Sequence, residues 1–129
     1  MRRVLIRGGD AFDIWAIDLG TDDAPNCPFK DFMGGLPAPV QKSIASVLSI
    51  HADHGPIMNE DKSRELDDGI YEFKTRQGAR ILFFYSGKAI TVLTHGFKKG
   101  TNKKTAHEVD RAKALRADWR AMDWEEQKS

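Results

Sequence analysis

From Phe73 to His107 the chain contains no Asp or Glu, yet Lys74, Arg76, Arg80, Lys88, Lys98, Lys99, Lys103 and Lys104 all fall inside that window. Eight cations without a compensating acid are suited to meeting an anion, and a nucleic-acid backbone is the anion that concentrated Lys and Arg attract most strongly, because it releases counterions on binding. The alternative is a sheet surface kept soluble by its lysines and arginines. Strand alternation bears on the choice. Lys74 and Arg76 stand two residues apart and so share a face, and Arg80 comes back toward that face across a turn at Gly78. Lys98 and Lys99 follow a third strand directly, and Lys103 and Lys104 extend the cationic run as further phosphate-binding candidates.

RNA cleavage by internal attack is chemistry that such a cluster can perform without a metal. When a ribose 2′-OH attacks the adjacent phosphate, negative charge builds on the phosphoryl oxygens, and fixed Arg or Lys donors stabilise it; one such donor is worth about 3 kcal/mol of barrier. Arg76, Arg80 and Lys98 are the candidates for that task, with Lys74 and Lys99 holding flanking phosphate. His95 ends a strand beside the lysines and titrates near neutrality, which suits it to proton transfer; its alternative is a half-buried histidine that terminates the strand. Phe97, between His95 and Lys98, either stacks on a splayed base or plugs the end of the core. His51 and His54 lie three apart near a helix end without a third metal ligand at suitable spacing, so cationic histidines at a helix C-terminus are the simpler account. No serine-nucleophile motif, phosphate loop or dinucleotide fingerprint occurs, and neither a metal nor a cofactor is expected.

The elements that must position these residues are legible in the rest of the chain. At 129 residues, 40% hydrophobic and 30% charged, it has the composition of one folded domain. The net charge of +1 hides a division: residues 1 to 65 sum to −3 and residues 66 to 129 to +4. Cys27 is the only cysteine, which excludes an internal disulfide and fits a reducing, cytoplasmic setting. No apolar run approaches the roughly 20 residues that span a bilayer, so no membrane partner is expected.

Val4 to Ile6 and Phe12 to Leu19 read as strands joined through Gly8 and Gly9, followed by an acidic loop from Thr21 to Pro28. A short helical turn from Pro28 to Phe32, stopped by Gly34 and Gly35, precedes a longer helix that opens at Pro39. That helix carries an apolar stripe of Val40, Ile44, Val47, Leu48 and His51 and ends at Gly55-Pro56. The two helices are expected to form a hairpin. Ile70 to Arg76, Arg80 to Tyr85 and Ala89 to His95 then read as a three-stranded antiparallel meander, with Ile81 to Tyr85 apolar enough to be covered on both faces. Thr105 to Glu108 matches a capping box, and Val109, Ala112, Leu115, Trp119 and Met122 form the stripe of a final helix with its charges facing elsewhere. Glu125 to Ser129 is expected to fray, and His107 falls in the helix's opening turn.

Three segments taken together, LDDGIYEFKTR, ARILFFYSGKAITVLTHGFKKGTNKKT and HEVDRAKALR, resemble the phage-derived toxin family related to HigB within the RelE/ParE toxin superfamily. The resemblance runs from about Pro28 to Trp119 and is most specific between Leu66 and Arg116. It implies an α+β, RelE-like domain with an N-terminal helical hairpin packed on a twisted antiparallel sheet, a concave basic face and a C-terminal helix. Residues 1 to 129 would form one such domain, with residues 1 to 27 a divergent β-rich extension. The resemblance further implies the toxin of a type II toxin-antitoxin module, cutting mRNA on the ribosome without a cofactor and silenced by a cognate antitoxin, often a helix-turn-helix protein. A non-catalytic binder on the same fold, such as a gyrase inhibitor or a degenerate toxin, is the alternative. His95, Phe97, Lys98 and Lys99 match the HGFKK element of the family, and Arg76 and Arg80 match commonly basic positions. Lys74 stands where the family usually has Arg, which keeps the charge and loses the bidentate fork.

Overall fold

The computed structural model describes residues 1–122. Six strands and three helices follow in the order β1 (Arg2–Arg7), β2 (Asp13–Asp18), α1 (Pro28–Gly34), α2 (Ala38–His54), β3 (Ser63–Asp67), β4 (Ile70–Lys74), β5 (Ala79–Ser86), β6 (Ile90–Lys98) and α3 (Asn102–Ala121). The strands make one sheet ordered β1-β2-β6-β5-β4-β3. All neighbours are antiparallel except β2 and β6, which run parallel with Ile14 opposite Thr91 and Ala16 opposite Leu93. The fold is therefore mixed α+β. The expected N-terminal helical hairpin is not seen, because β1 and β2 precede α1 and α2, which pack on the sheet, and the sheet is not antiparallel throughout. Both departures have one cause: the N-terminal hairpin joins the far side of the meander, and the chain must cross over through α1, α2 and β3 to β5 before β6 meets β2.

The two faces of this sheet carry separate cores. Ile14, Ala16, Phe73, Ile81, Phe83 and Leu93 face α1 and α2, where Phe29, Ile44, Leu48 and Ala52 meet them. Ile17, Ile70, Leu82, Phe84, Val92 and Phe97 face α3, which supplies Val109, Ala112, Leu115 and Trp119. Coverage on both sides explains the unbroken apolar run of β5, since alternate residues enter opposite cores. Trp119 is fully buried; its indole N–H donates to Ser86 Oγ at 3.1 Å, and the Arg3 guanidinium lies 4.4 Å above its ring.

The meander has a fourth strand. Ser63–Asp67 pairs with β4, although its pattern of mostly exposed residues gives no apolar alternation by which to recognise it. The final helix also starts earlier than the capping box suggests: Thr101 is the N-cap, its hydroxyl accepting from the Lys104 N–H at 3.1 Å, and Thr105 lies inside the helix. Glu108 is thereby released from the cap and turns toward β6. The expectation for Glu125 to Ser129 lies outside the described residues.

Two glycines mark close approaches of the helices, one to β6 and one to the loop after β1. A Cβ on Gly96 would lie 2.1 Å from the ring of Phe32 in α1, and one on Gly9 would lie 2.4 Å from the Ala52 carbonyl oxygen in α2. That same carbonyl accepts from the N–H groups of Ala11 and Phe12, which ties the loop after β1 to the end of α2.

Candidate functional site

The cations of the acid-free window gather at one end of the sheet, where β4 ends, β5 begins and β6 runs out into α3. Lys74 is the cross-strand partner of Arg80, and Arg80 is in turn opposite Phe97. Ala79 pairs with Lys98, and the Lys99 N–H donates to the Gly78 carbonyl at 2.8 Å, so the β4–β5 turn holds the backbone of the lysine pair. Arg76 is exposed in that turn rather than on β4, while Lys103 and Lys104 occupy the exposed first turn of α3. Among the described residues, none of Lys74, Arg76, Lys98, Lys99, Lys103 and Lys104 makes an ion pair. Lys88 stands apart at the opposite end, in the turn between β5 and β6.

Arg80 is different, and an acid just outside the window makes it so. The carboxylate of Glu72, 2% exposed, accepts from Arg64 Nε at 2.8 Å through one oxygen and lies 3.2 Å from Arg80 Nε through the other. Glu72 pairs with Leu82 in the ladder, which places it on the α3 face beside Arg80. The Arg80 side chain is 13% exposed and is held along its Nε edge, with NH1 near its neighbour's carbonyl, Ala79 O, at 3.4 Å. A buried carboxylate so flanked orients the guanidinium and fixes one cation of the cluster in place.

His95 and Phe97 do not take the places expected of them. A register shift between Ile81 and Phe83 lets β6 turn both side chains toward α3. Phe97 is 5% exposed and part of the α3-side core, so it plugs the core and presents no face to a base. His95 is 1% exposed. Its Nδ1 lies 3.2 Å from the Thr94 hydroxyl, which itself donates to the Leu82 carbonyl at 3.2 Å. Its Nε2 faces Glu108 at 3.7 Å, beyond hydrogen-bond reach, and has no hydrogen-bond partner among the described residues. Burial, assisted by the charge of Arg111, lowers its pKa from 6.5 to about 4. A neutral, enclosed imidazole is poorly placed to exchange protons with a substrate at the surface.

The histidines of α2 are also separated by burial. His51 is fully buried, stacked on Phe12 at 4.7 Å between ring centroids, with Nε2 2.8 Å from Thr91 Oγ1. Burial lowers its pKa to about 4, so it is neutral rather than the cationic helix-end residue expected, whereas His54 and His107 are exposed.

The sequence pattern missed Glu72, Glu108, Lys42 and Lys62. The first two flank the acid-free window by a single residue on each side, and only pairing across strands and packing of α3 fold them into it. Lys42 comes from α2 and Lys62 from the turn before β3, and with Lys74 and Arg76 they line a cleft of about 720 Å³.

No curated protein matches the chain. The family model for phage-derived Gp49-like proteins (DUF891) matches residues 31–117. That span opens within α1 and closes within α3, leaving β1 and β2 outside it and enclosing the whole basic end. With that coverage, the chain belongs to the phage-derived Gp49-like protein family.

Proposed function

We propose that this protein is the toxin of a type II toxin-antitoxin module, of HigB-like kind, and that it inhibits translation by cutting mRNA on the ribosome. Membership of a toxin-like family of toxin-antitoxin systems supports the reading. The observation that carries it is the clamped Arg80 beside six cations that make no ion pair among the described residues. As the 2′-OH attacks a phosphate held there, its proton passing to water, the P–O5′ bond breaks, the 5′-oxygen leaves with a proton from water and a 2′,3′-cyclic phosphate remains; Arg80, with Lys74 across the ladder and Arg76 and Lys98 at the rim, stabilises the charge that builds on the phosphate without reorganising. Since His95 is enclosed, the reaction draws on charge stabilisation rather than on that imidazole as the proton carrier. The partners in this reading are the ribosome, mRNA and a cognate antitoxin of the helix-turn-helix kind whose surface covers the cations.

Purified protein added to a translating extract is expected to cut message within codons. Arg80→Ala should slow cutting by about 10² to 10³, and His95→Gln should leave the pH profile of cutting unchanged. Intact message in the presence of folded protein sinks the proposal. The burial of His95 favours a second reading, a non-catalytic binder of RNA or antitoxin or a gyrase inhibitor, and growth arrest or gyrase inhibition without RNA cleavage would establish it in place of the first.

A further inference from the structure

The cleft between α2 and the β4–β5 turn is lined by four cations from three separate segments. Lys42 comes from α2, Lys62 from the approach to β3, and Lys74 and Arg76 from the end of β4 and its turn; among the described residues Asp61 is the only carboxylate on its walls. The walls are joined rather than merely adjacent: the Gln77 amide donates to Ser43 Oγ at 3.1 Å, and the Lys74 N–H donates to the Lys62 carbonyl at 2.8 Å. Among the described residues none of the four cations makes an ion pair, and Asp61 is the one acid that lines the cleft with them.

Lys74 belongs to both places. It is the ladder partner of Arg80 and also a wall of this cleft, so one residue of β4 adjoins both Arg80 and the cleft. A discrete acidic side chain has no need of such a junction, whereas a backbone with a phosphate at every residue does. None of the described lining residues is aromatic, so these walls offer no surface for base stacking.

We infer that this cleft is the path of the single-stranded RNA leading to or from the phosphate at Arg80, holding it by backbone phosphates alone through Lys42 and Lys62. The inference rests on the RNA reading of the basic end and adds to it a path for the flanking strand and a mode of contact that is blind to base identity. Pro39 and Val47 add apolar surface to the lining, against which the ribose can lie.

The test is fluorescence anisotropy of a labelled oligouridylate titrated with the full chain over a series of salt concentrations, comparing wild type, the double variant Lys42→Gln/Lys62→Gln, and Lys88→Gln as a cation remote from the cleft. Lys42, Lys62 and Lys88 are all exposed, so these substitutions leave the cores intact. The double variant is expected to bind more weakly at every salt concentration, with the slope of log affinity against log salt shallower by about 1.4, two phosphate contacts at roughly 0.7 each. Lys88→Gln should match wild type. An unchanged slope in the double variant, or no binding by wild type at low salt, overturns the inference. So does a double variant that keeps RNA binding but loses affinity for an Asp/Glu-rich peptide, which would make the cleft a protein-docking site. Binding through Lys42 and Lys62 without cleavage in a translating extract leaves the path standing and counts against the endonuclease instead.

Discussion

The two ends of the sheet treat charge in opposite ways. At the end where β3 turns into β4, each acid of the turn is met by a cation of α3: Lys113 Nζ lies 2.6 Å from Asp67, and Arg116 NH2 lies 2.9 Å from Asp68. At the other end Lys74, Arg76, Lys98, Lys99, Lys103 and Lys104 make no such pair among the described residues. Paired charges fasten α3 to the meander, while unpaired ones repel one another and are stabilised by an external anion. The contrast shows that the excess of cations in the C-terminal half is not spread evenly over a solvated surface. Apart from Lys88, the cations of the acid-free window gather at one end, and Arg80 there shares the buried acid Glu72 with Arg64.

The sharpest way to break this contrast is to remove that acid. Glu72→Ala strips the buried partner from Arg80 and adds net positive charge to an already cationic end, and it is expected to cost about 3–5 kcal/mol of stability in urea unfolding. A loss under about 1 kcal/mol would show that Glu72 does not hold Arg80. The pH dependence of stability is expected to be smaller. Burial keeps His51 and His95 at about 4, below the 6.5 of the unfolded chain. The unfolded state therefore binds protons first as pH falls. Their contribution is complete above about pH 6.5 and is lost as pH drops toward 4, amounting to roughly 2 kcal/mol per histidine between pH 7 and pH 5. His95→Gln should remove the share that belongs to the basic end and leave that of His51. A wild-type stability that is flat from pH 7 to pH 5 would mean that both rings are open to protons. The smallest effect belongs to the paired end: Asp67→Asn, whose carboxylate is 64% exposed, should change stability by less than about 1 kcal/mol and leave RNA binding untouched.

Much of the architecture was readable from local pattern. The stripe of α2 and the apolar run of β5 follow from periods of 3.6 and 2, which neighbouring residues impose on each other. β3 was not readable, because its residues are mostly exposed and its identity as a strand comes from the partner it pairs with. The cap of α3 was misplaced for a related reason. Thr101 and Thr105 both offer a hydroxyl before a helical pattern, and the exit of β6 selects Thr101.

The same division applies to the site. The sequence by itself determined that a long stretch would be cationic, that it would lie on strands and their turns, and which family pattern it carries. Tertiary structure decided which cations converge, because Lys74 meets Arg80 only through the β4–β5 register, and Lys42 and Lys62 join them from segments remote along the chain. It also decided which candidates withdraw: a register shift in β6 and the packing of α3 put His95 and Phe97 out of reach of solvent. The acid-free window is a property of the chain alone. In space Glu72 and Glu108 reach into it from either border, since charges act through distance and the fold sets that distance.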